Sequence, residues 1–487
     1  MAAYLELCNV SFRYLEEAQA DVLQHVNFAL EEGKVTVLLG ASGCGKSTLA
    51  LLAAGIFPEN GGVMESGEIR LLGRPLAEYA IPQRTKALTV LFQNPDLQFC
   101  MDTLRKELFF CLENLSVSPE EMEARVEKFA RLYGVEELLD RKLSTLSGGE
   151  KPKAALCCLL LLEPRGMILD EPFANLDPES AAGLLELLRR YRREQGATVA
   201  VIDHKLDRWL DFADEIMVLG SGGKTLARGI HPESLGEYRR LFQEEGLFFP
   251  GEPQAFEARE QSGEVVLELR DAAYGYPGRT LARGLSASFR RGSVSAILGP
   301  SGSGKTSLFS VILGQLPYSG SVRVAGMEGK KAGKKKLYRE VSAVFQNPGN
   351  QFIALNVLDE VFKSLELWNP RENGEALRSR ALEILDRYGL KKYRRYSPYM
   401  LSQGQQRRLA VLSVLAGGQR LLLLDEPTYG QDCRSTRAMM EQLRQLCAEG
   451  LTVVFSTHDR ETACQYSDAV YELQEGGLRP WNGSIRR

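Results

Sequence analysis

"GASGCGKST" at residues 40–48 and "GPSGSGKTS" at 299–307 decide the fold. Each follows a run rich in β-branched residues, "KVTVLL" at 34–39 or "SVSAIL" at 293–298, and each leads into an apolar stretch of helical character. Strand, glycine loop and helix in this order make a phosphate cradle: glycines let successive backbone N–H groups converge on an anion, and the helix N-terminus adds positive potential. The pattern Gly-x4-Gly-Lys-Ser/Thr is met by Gly40, Gly45, Lys46 and Ser47, and again by Gly299, Gly304, Lys305 and Thr306. Both lysines are placed to neutralise β and γ phosphates, and Ser47 and Thr306 offer a hydroxyl to Mg²⁺. Ser42, Gly43, Cys44 and Thr48 complete the first nucleotide loop, with Ser301, Gly302, Ser303 and Ser307 in the second.

Two cradles imply a duplication, and the other landmarks keep the same order. Copy one reads "FQNPDLQF" at 92–99, "LSGGE" at 146–150, "MILDEP" at 167–172 and "DHK" at 203–205. Copy two reads "FQNPGNQF" at 345–352, "LSQGQ" at 401–405, "LLLLDEP" at 421–427 and "THD" at 457–459. Lys305 lies 259 positions after Lys46, Ser402 255 after Ser147, and His458 254 after His204. So small a drift describes two homologous domains that differ in loop lengths. We therefore expect domains at 1–250 and 264–487, joined by a Pro-, Gly- and charge-rich linker at 251–263.

Composition agrees with two soluble domains. A chain of 487 residues exceeds the roughly 250 to 300 that one core supports. The formal net charge of −3 gives no global field for nucleic acid, so none is expected as a partner. The longest apolar run, "AALCCLLLL" at 154–162, is far short of the ~20 residues that span a bilayer. The opening "MAAYLELCNVSFRY" alternates like a strand and shows no signal-peptide pattern. Nine cysteines without metal-ligand spacing suit a reducing compartment, and a cytosolic location is expected.

Asp170 and Asp425 end continuous apolar runs, "GMILD" and "LLLLD", of the kind found in parallel strands buried on both faces. A carboxylate there can hold a metal near the phosphates, and the glutamates that follow, Glu171 and Glu426, are candidates to orient or deprotonate the attacking water. Of four histidines, His204 and His458 stand at matched places after an apolar strand, which favours a γ-phosphate sensor. For His25 and His231 a structural role is expected.

Taken together, these motifs resemble the ATPase domain of ABC proteins over nearly the whole chain. The implied fold class is α/β: two tandem P-loop NTPase domains, each a mostly parallel sheet with flanking helices, a helical signature subdomain and an antiparallel β part. The Gln-Asn-Pro-x-x-Gln-Phe loop narrows the resemblance to the ATPases of energy-coupling-factor importers. The segment "ELFFCLENLSVSPEEMEARVEKFARLYGVEELLDRKLSTLSGGE" and the copy-one tail "ARGIHPESLGEYRRLFQEEGLFFP" are similar to that family too. The resemblance implies ATP and Mg²⁺ as cofactors, ATP hydrolysis as the activity, and intramolecular head-to-tail pairing of the two domains. Lys46, Asp170, Glu171 and His204 would then face Ser402, Gln403 and Gly404, while Lys305, Asp425, Glu426 and His458 would face Ser147, Gly148 and Gly149. Gln93 and Gln346 would reach Mg²⁺ and the attacking water, and Tyr14 and Tyr276 would stack on adenine. The implied partners are an integral membrane coupling protein and a substrate-binding integral membrane protein, with a vitamin or metal ion as cargo and a peripheral location on the cytoplasmic face.

Three departures stand out. Gln403 replaces the first signature Gly of copy two, Pro152 and Lys153 stand where the family carries Gln-Arg, and Lys205 replaces the Asp usual after the histidine. Both candidate glutamates survive, so two hydrolytic sites are expected. The alternatives are a fused ATPase of a conventional sugar importer, which usually carries one degenerate site and lacks the Gln-Asn-Pro-x-x-Gln-Phe pattern, and a soluble tandem ATPase acting on ribosomes, for which a long charged linker or arm would be expected. The lysine run "GKKAGKKKLYR" at 329–339 reads as a solvated surface loop.

Overall fold

The computed structural model describes residues 3–16, 20–173, 176, 178–251, 256, 258–259, 262–428, 430–474 and 476–481. Two compact units emerge, residues 1–251 with 432–434, and 252–431 with 435–487. Of the expected linker at 251–263, residues 252–255, 257, 260 and 261 lie outside the described residues.

In the first unit a six-stranded sheet runs, in spatial order, Thr225–Ile230, Glu215–Leu219, Val35–Gly40, Thr198–Ile202, Gly166–Asp170 and Leu88–Leu91. Only the Thr225–Ile230 edge is antiparallel; the other neighbours are parallel. Every residue of Val35–Gly40, Gly166–Asp170 and Thr198–Ile202 is buried, which is why these segments are apolar without alternation. Alternate side chains still serve different cores. Val35, Val37, Leu39, Val199 and Val201 pack toward the helices. Leu38, Ala200 and Ile202 pack toward a four-stranded antiparallel sheet, Leu23–Glu31, Ala3–Arg13, Val63–Leu71 and Arg74–Pro75.

The second unit repeats this plan. Its six-stranded sheet is ordered Val341–Val344, Leu421–Asp425, Thr452–Thr457, Val294–Leu298, Ala469–Gln474 and Gly477–Pro480, again with one antiparallel edge pair. Its antiparallel sheet is Arg279–Arg290, Val265–Tyr276, Tyr318–Val324 and Met327–Glu328.

A helical region is inserted between the Gln-Asn-Pro loop and the next strand of each sheet. In copy one it comprises Leu104–Asn114, Pro119–Tyr133 and Glu150–Leu161; in copy two, Val357–Trp368, Gly374–Arg387 and Gln403–Leu415. Local chemistry sets the ends. The Thr103 and Asn356 side chains accept N–H groups of the first turns that follow them, and Gly134 closes Pro119–Tyr133 in the left-handed conformation. Residues 154–161 of the apolar run belong to the helix Glu150–Leu161, which Leu162 caps, with Cys157 and Cys158 in the core. No helix among the described residues is long and apolar enough to cross a membrane.

Candidate active site

The two glycine loops sit where the sequence places them, between a central parallel strand and the helix Lys46–Ala53 or Lys305–Ile312. Gly45 and Gly304 take φ of 107° and 99°, a conformation side chains resist. Packing adds to this at Gly45, where a methyl group would fall 2.4 Å from Leu23 Cδ2. Lys46 Nζ donates to Gly40 O at 2.7 Å and Ala41 O at 3.1 Å, and Lys305 Nζ donates to Gly299 O at 2.7 Å and Pro300 O at 3.0 Å. Both ammonium groups are buried. Burial pulls the Lys305 ammonium below its usual range against the pull of Glu426 and Asp425, so a phosphate arriving there would favour the charged form.

Asp170 and Asp425 close their strands beside these loops and are buried. Thr306 Oγ1 donates to Asp425 Oδ2 at 2.6 Å, and in copy one the Ser47 side chain stands near Asp170 and favours its ionised form. Burial raises Asp170 to about 6, and its Oδ1 has no hydrogen-bond partner. A hydroxyl beside a carboxylate with a spare buried oxygen suits Mg²⁺, a hard cation that takes one or two protein oxygens and fills its octahedron with water and phosphate. No cluster of three or more His, Cys, Asp or Glu that could hold a metal exists among the described residues.

Glu171 and Glu426 share an unusual backbone, each with φ of 49°. The amide of Glu171 donates to Ile202 O at 2.8 Å and that of Glu426 to Ser456 O at 3.1 Å, which turns the chain sharply out of the strand. In copy one, Gln93 Nε2 donates to Glu171 Oε2 at 2.7 Å and His204 Nε2 lies 2.9 Å from Glu171 Oε1. Burial pushes Glu171 up, but the His204 ring, Lys46 and Gln93 outweigh it and hold the carboxyl below its usual range. In copy two, His458 approaches Glu426 Oε2 through Nδ1 at 3.1 Å, and Lys305 Nζ lies 3.7 Å from Glu426 Oε1. Tyr14 and Tyr276 are exposed at the loop rims, their hydroxyls 2.6 Å from Thr48 Oγ1 and 3.4 Å from Ser307 Oγ.

The ABC transporter family model matches residues 23–174 and 282–429, a span that takes in both glycine loops and both Asp-Glu pairs. The chain belongs to the ABC transporter family. Among relatives of this ABC transporter chain, the Bacillus subtilis (strain 168) protein named "Putative HMP/thiamine import ATP-binding protein YkoD" is 35% identical over 508 residues, covering 98% of this chain and 92% of the relative. A Methanosarcina acetivorans protein named "Putative ABC transporter ATP-binding protein" is 33% identical over 529 residues, covering 97% of this chain and 84% of its own length. Among solved structures, archaeal ribosome recycling factor aABCE1, in a complex with ribosomal stalk protein aP1, aligns with a TM-score of 0.63 at 20% identity over 97% of this chain and 90% of its own; the likeness is one of fold. Both halves of this ABC transporter chain are ABC ATPase domains, a family that binds and hydrolyses ATP, typically with Mg²⁺.

The signature segments of the ABC domains open a helix in each copy. Ser147 N donates to Glu150 Oε2 at 2.8 Å, just before helix Glu150–Leu161, whose first turn accommodates Pro152. Gly148 and Gly149 lead into that turn, and a methyl on Gly149 would lie 2.6 Å from Ser180 Oγ. Ser402 forms a reciprocal capping box with Gln405, and Gln403 and Gly404 begin the helix that follows. Position 152 matters in another way. Arg407, its counterpart in copy two, is buried and donates to Pro427 O at 2.7 Å, bracing the backbone just past Glu426; Pro152 has no such donor.

Several site residues escaped the sequence reading. The second Gln of each Gln-Asn-Pro loop is a bracket: Gln98 Oε1 accepts the Phe92 amide at 3.0 Å and its Nε2 donates to Val90 O at 2.9 Å, and Gln351 does the same for Phe345 and Ala343 at 3.0 and 3.1 Å. Each side chain thus stands in for a missing strand neighbour. Asn94 and Asn347 accept the amides two residues on and start the turn at Pro95 and Pro348. Buried Glu107 and Glu360 each take two loop amides, Cys100 and Met101 or Ile353 and Ala354. The repeat of "QNPxxQF" was the available signal for the Gln and Asn pairs. His25 and His231 lie away from the site, bonded to Asn9 Oδ1 and Asp214 O.

Proposed function

We propose that this chain is the ATP-hydrolysing subunit of a membrane importer of the energy-coupling-factor type. It works as a peripheral protein on the cytoplasmic face, against an integral coupling protein that is joined by a separate integral substrate-binding protein. The cargo is a vitamin or a metal ion; the relative named for HMP/thiamine import supports the vitamin arm. Lys46 and Lys305 neutralise phosphate charge, Ser47 with Asp170 and Thr306 with Asp425 hold Mg²⁺ together with Gln93 and Gln346, and His204 and His458 meet the γ-phosphate. Glu171 and Glu426 orient the attacking water and draw off its proton, with little else for the protein to supply beyond position and charge. On this reading each site would be completed in the ATP-bound state by the other domain's signature, Ser402 to Gly404 for Lys46 and Ser147 to Gly149 for Lys305, so that closure and hydrolysis would be shared.

The observation that carries this reading is the Gln-Asn-Pro-x-x-Gln-Phe loop, built alike in both copies and bonded at one end to a candidate catalytic glutamate through Gln93. At its other end in copy two the loop borders an apolar groove of about 320 Å³ lined by Phe345, Gln351, Ile353, Leu367 and Trp368. Ile353, Leu355 and Leu367 are 73%, 90% and 73% exposed, an unusual concentration of large apolar side chains facing solvent. The glutamate bond is seen in copy one and the exposed apolar face in copy two; a loop of this build that combines the two would transmit closure to a partner. The test is co-purification of the chain from membranes. Two associated integral membrane proteins are expected, and recovery with ribosomes instead would overturn the reading.

A further inference from the structure

We propose that Asp203 is the positioning residue that presents His204 in the first site, where the helix cap that Asp459 supplies after the histidine of the second site is missing. The inference rests on the reading of His204 as the group that meets the γ-phosphate. In copy two the residue after the histidine is tied down. Asp459 N donates to Thr457 Oγ1 at 3.0 Å, and the Asp459 side chain accepts the amides of Glu461 and Thr462 and the Thr462 hydroxyl, capping helix Arg460–Tyr466. In copy one that residue is Lys205, whose side chain has no acceptor to offer, and residues 207–212 form turns rather than a helix.

The carboxylate has moved to the other side of the histidine. Asp203 Oδ1 accepts the amides of His204 at 2.6 Å and Lys205 at 3.2 Å, and Oδ2 accepts Trp209 Nε1–H at 2.7 Å. These bonds fix the direction in which the His204 ring leaves the backbone toward Glu171 Oε1. Trp209 is fully buried and stacks on Phe173, ring centroids 4.4 Å apart and planes 14° from parallel. Phe173 lies two residues beyond Glu171, so one indole is bonded to the histidine's anchor and packed against the strand exit that carries the glutamate. Counted from the aligned strands and histidines, copy two has Thr457, Ala463 and Thr428 at these three places; Thr457 Oγ1 takes the Asp459 amide as Asp203 takes that of Lys205, while the bonds to the histidine amide and to a buried indole belong to copy one.

The test uses the full chain with ring-labelled histidine, whose four residues are resolvable by NMR. Asp203→Ala should shift and broaden the His204 signals while those of His458 stay in place. In a Glu426→Gln background, where turnover reports the first site, Asp203→Ala should lower kcat about tenfold with KM for ATP changed less than about twofold, the loss of a positioning hydrogen bond. Asp203→Asn keeps an acceptor for the two amides and should restore most of both readouts. Unmoved His204 signals in a folded Asp203→Ala protein would overturn the inference. Unchanged turnover on His204→Ala in the same background would instead overturn the assigned role of His204, leaving the NMR response to judge the positioning.

Discussion

Asp170 is paired in register with Ile202 across the parallel ladder, whereas the equivalent Asp425 is paired with Ser456. Ser456 Oγ donates to Asp425 Oδ1, and Ile202 has nothing to donate to Asp170, whose Oδ1 stays buried without a partner. One residue on a neighbouring strand therefore gives two otherwise matched strand-end carboxylates different environments.

That difference predicts a pH-dependent cost in copy one. Burial raises Asp170 to about 6 in the folded chain, against about 3.9 when unfolded. A carboxyl raised on folding contributes stability that is complete below the unfolded value and is lost as pH climbs through the folded one, here between about pH 4 and pH 7. Asp170→Asn cannot ionise, so in the absence of nucleotide and Mg²⁺ it should melt higher than the parent at pH 8, by up to about 2 to 3 kcal/mol, with the gap closing toward pH 5. Saturating Mg²⁺ and ATP should reverse the order, because the parent alone offers the cation a charged oxygen. Calorimetry at the two pH values, with and without ligand, checks both halves. A variant no more stable than the parent at pH 8 would be incompatible with the orphaned carboxylate.

Both glutamates should matter to turnover. Glu171→Gln and Glu426→Gln each keep the side chain's size and remove the proton acceptor, and general-base losses run to about 10² to 10⁴-fold at the affected site. If the two sites work as a pair, either substitution should bring whole-chain ATP hydrolysis below half while ATP binding persists. Steady-state hydrolysis and equilibrium nucleotide binding separate the two effects. Full activity in Glu171→Gln alongside none in Glu426→Gln would leave a single hydrolytic site.

The glycine loops, the Asp-Glu pairs and the matched histidines were legible because their chemistry depends on contiguous residues, and backbone convergence on an anion leaves a local trace. The strands were legible for a related reason: segments such as Val35–Gly40 are buried on both faces and show it in composition. What the sequence could not reveal were partners brought together by sheet register and turns. Ile202 against Asp170, Arg407 under Pro427 and Trp209 on Asp203 are each separated along the chain or set by side-chain direction. Lys205 read only as a departure, since its compensation at Asp203 becomes visible when the turn is folded.

The bracketing glutamines should be structural first and catalytic second. Removing Gln98 or Gln351 leaves a part-buried loop amide and a strand carbonyl without their partners, which costs about 1 to 3 kcal/mol. Gln98→Ala and Gln351→Ala should each lower thermal stability and speed amide exchange at Phe92 or Phe345, while ATP affinity changes little. Hydrogen exchange followed by mass spectrometry reads the local effect directly. Slow exchange retained at Phe92 in Gln98→Ala would show that the loop does not depend on the bracket.

Gly43 and Gly45 separate backbone strain from steric conflict within one cradle. Both have positive φ, 79° and 107°, so alanine at either place carries a conformational penalty of about 1 kcal/mol or more. The space around them differs: a methyl on Gly43 meets nothing within 4 Å, whereas one on Gly45 would lie 2.4 Å from Leu23 Cδ2. Leu23 is fully buried in the core beneath the antiparallel sheet and has little room to retreat. Gly43→Ala should therefore retain a cooperative melt within a few degrees of the parent and lose ATP affinity in proportion to the altered loop. Gly45→Ala should lose both, because the loop can accept the methyl only by lifting the start of helix Lys46–Ala53, and Lys46 moves with it. Melting curves together with ATP titrations of a Lys305→Ala background, which isolates the first cradle, measure the contrast. Equal melting of the two variants would mean that Leu23 gives way, and that the backbone conformation alone makes glycine necessary at position 45.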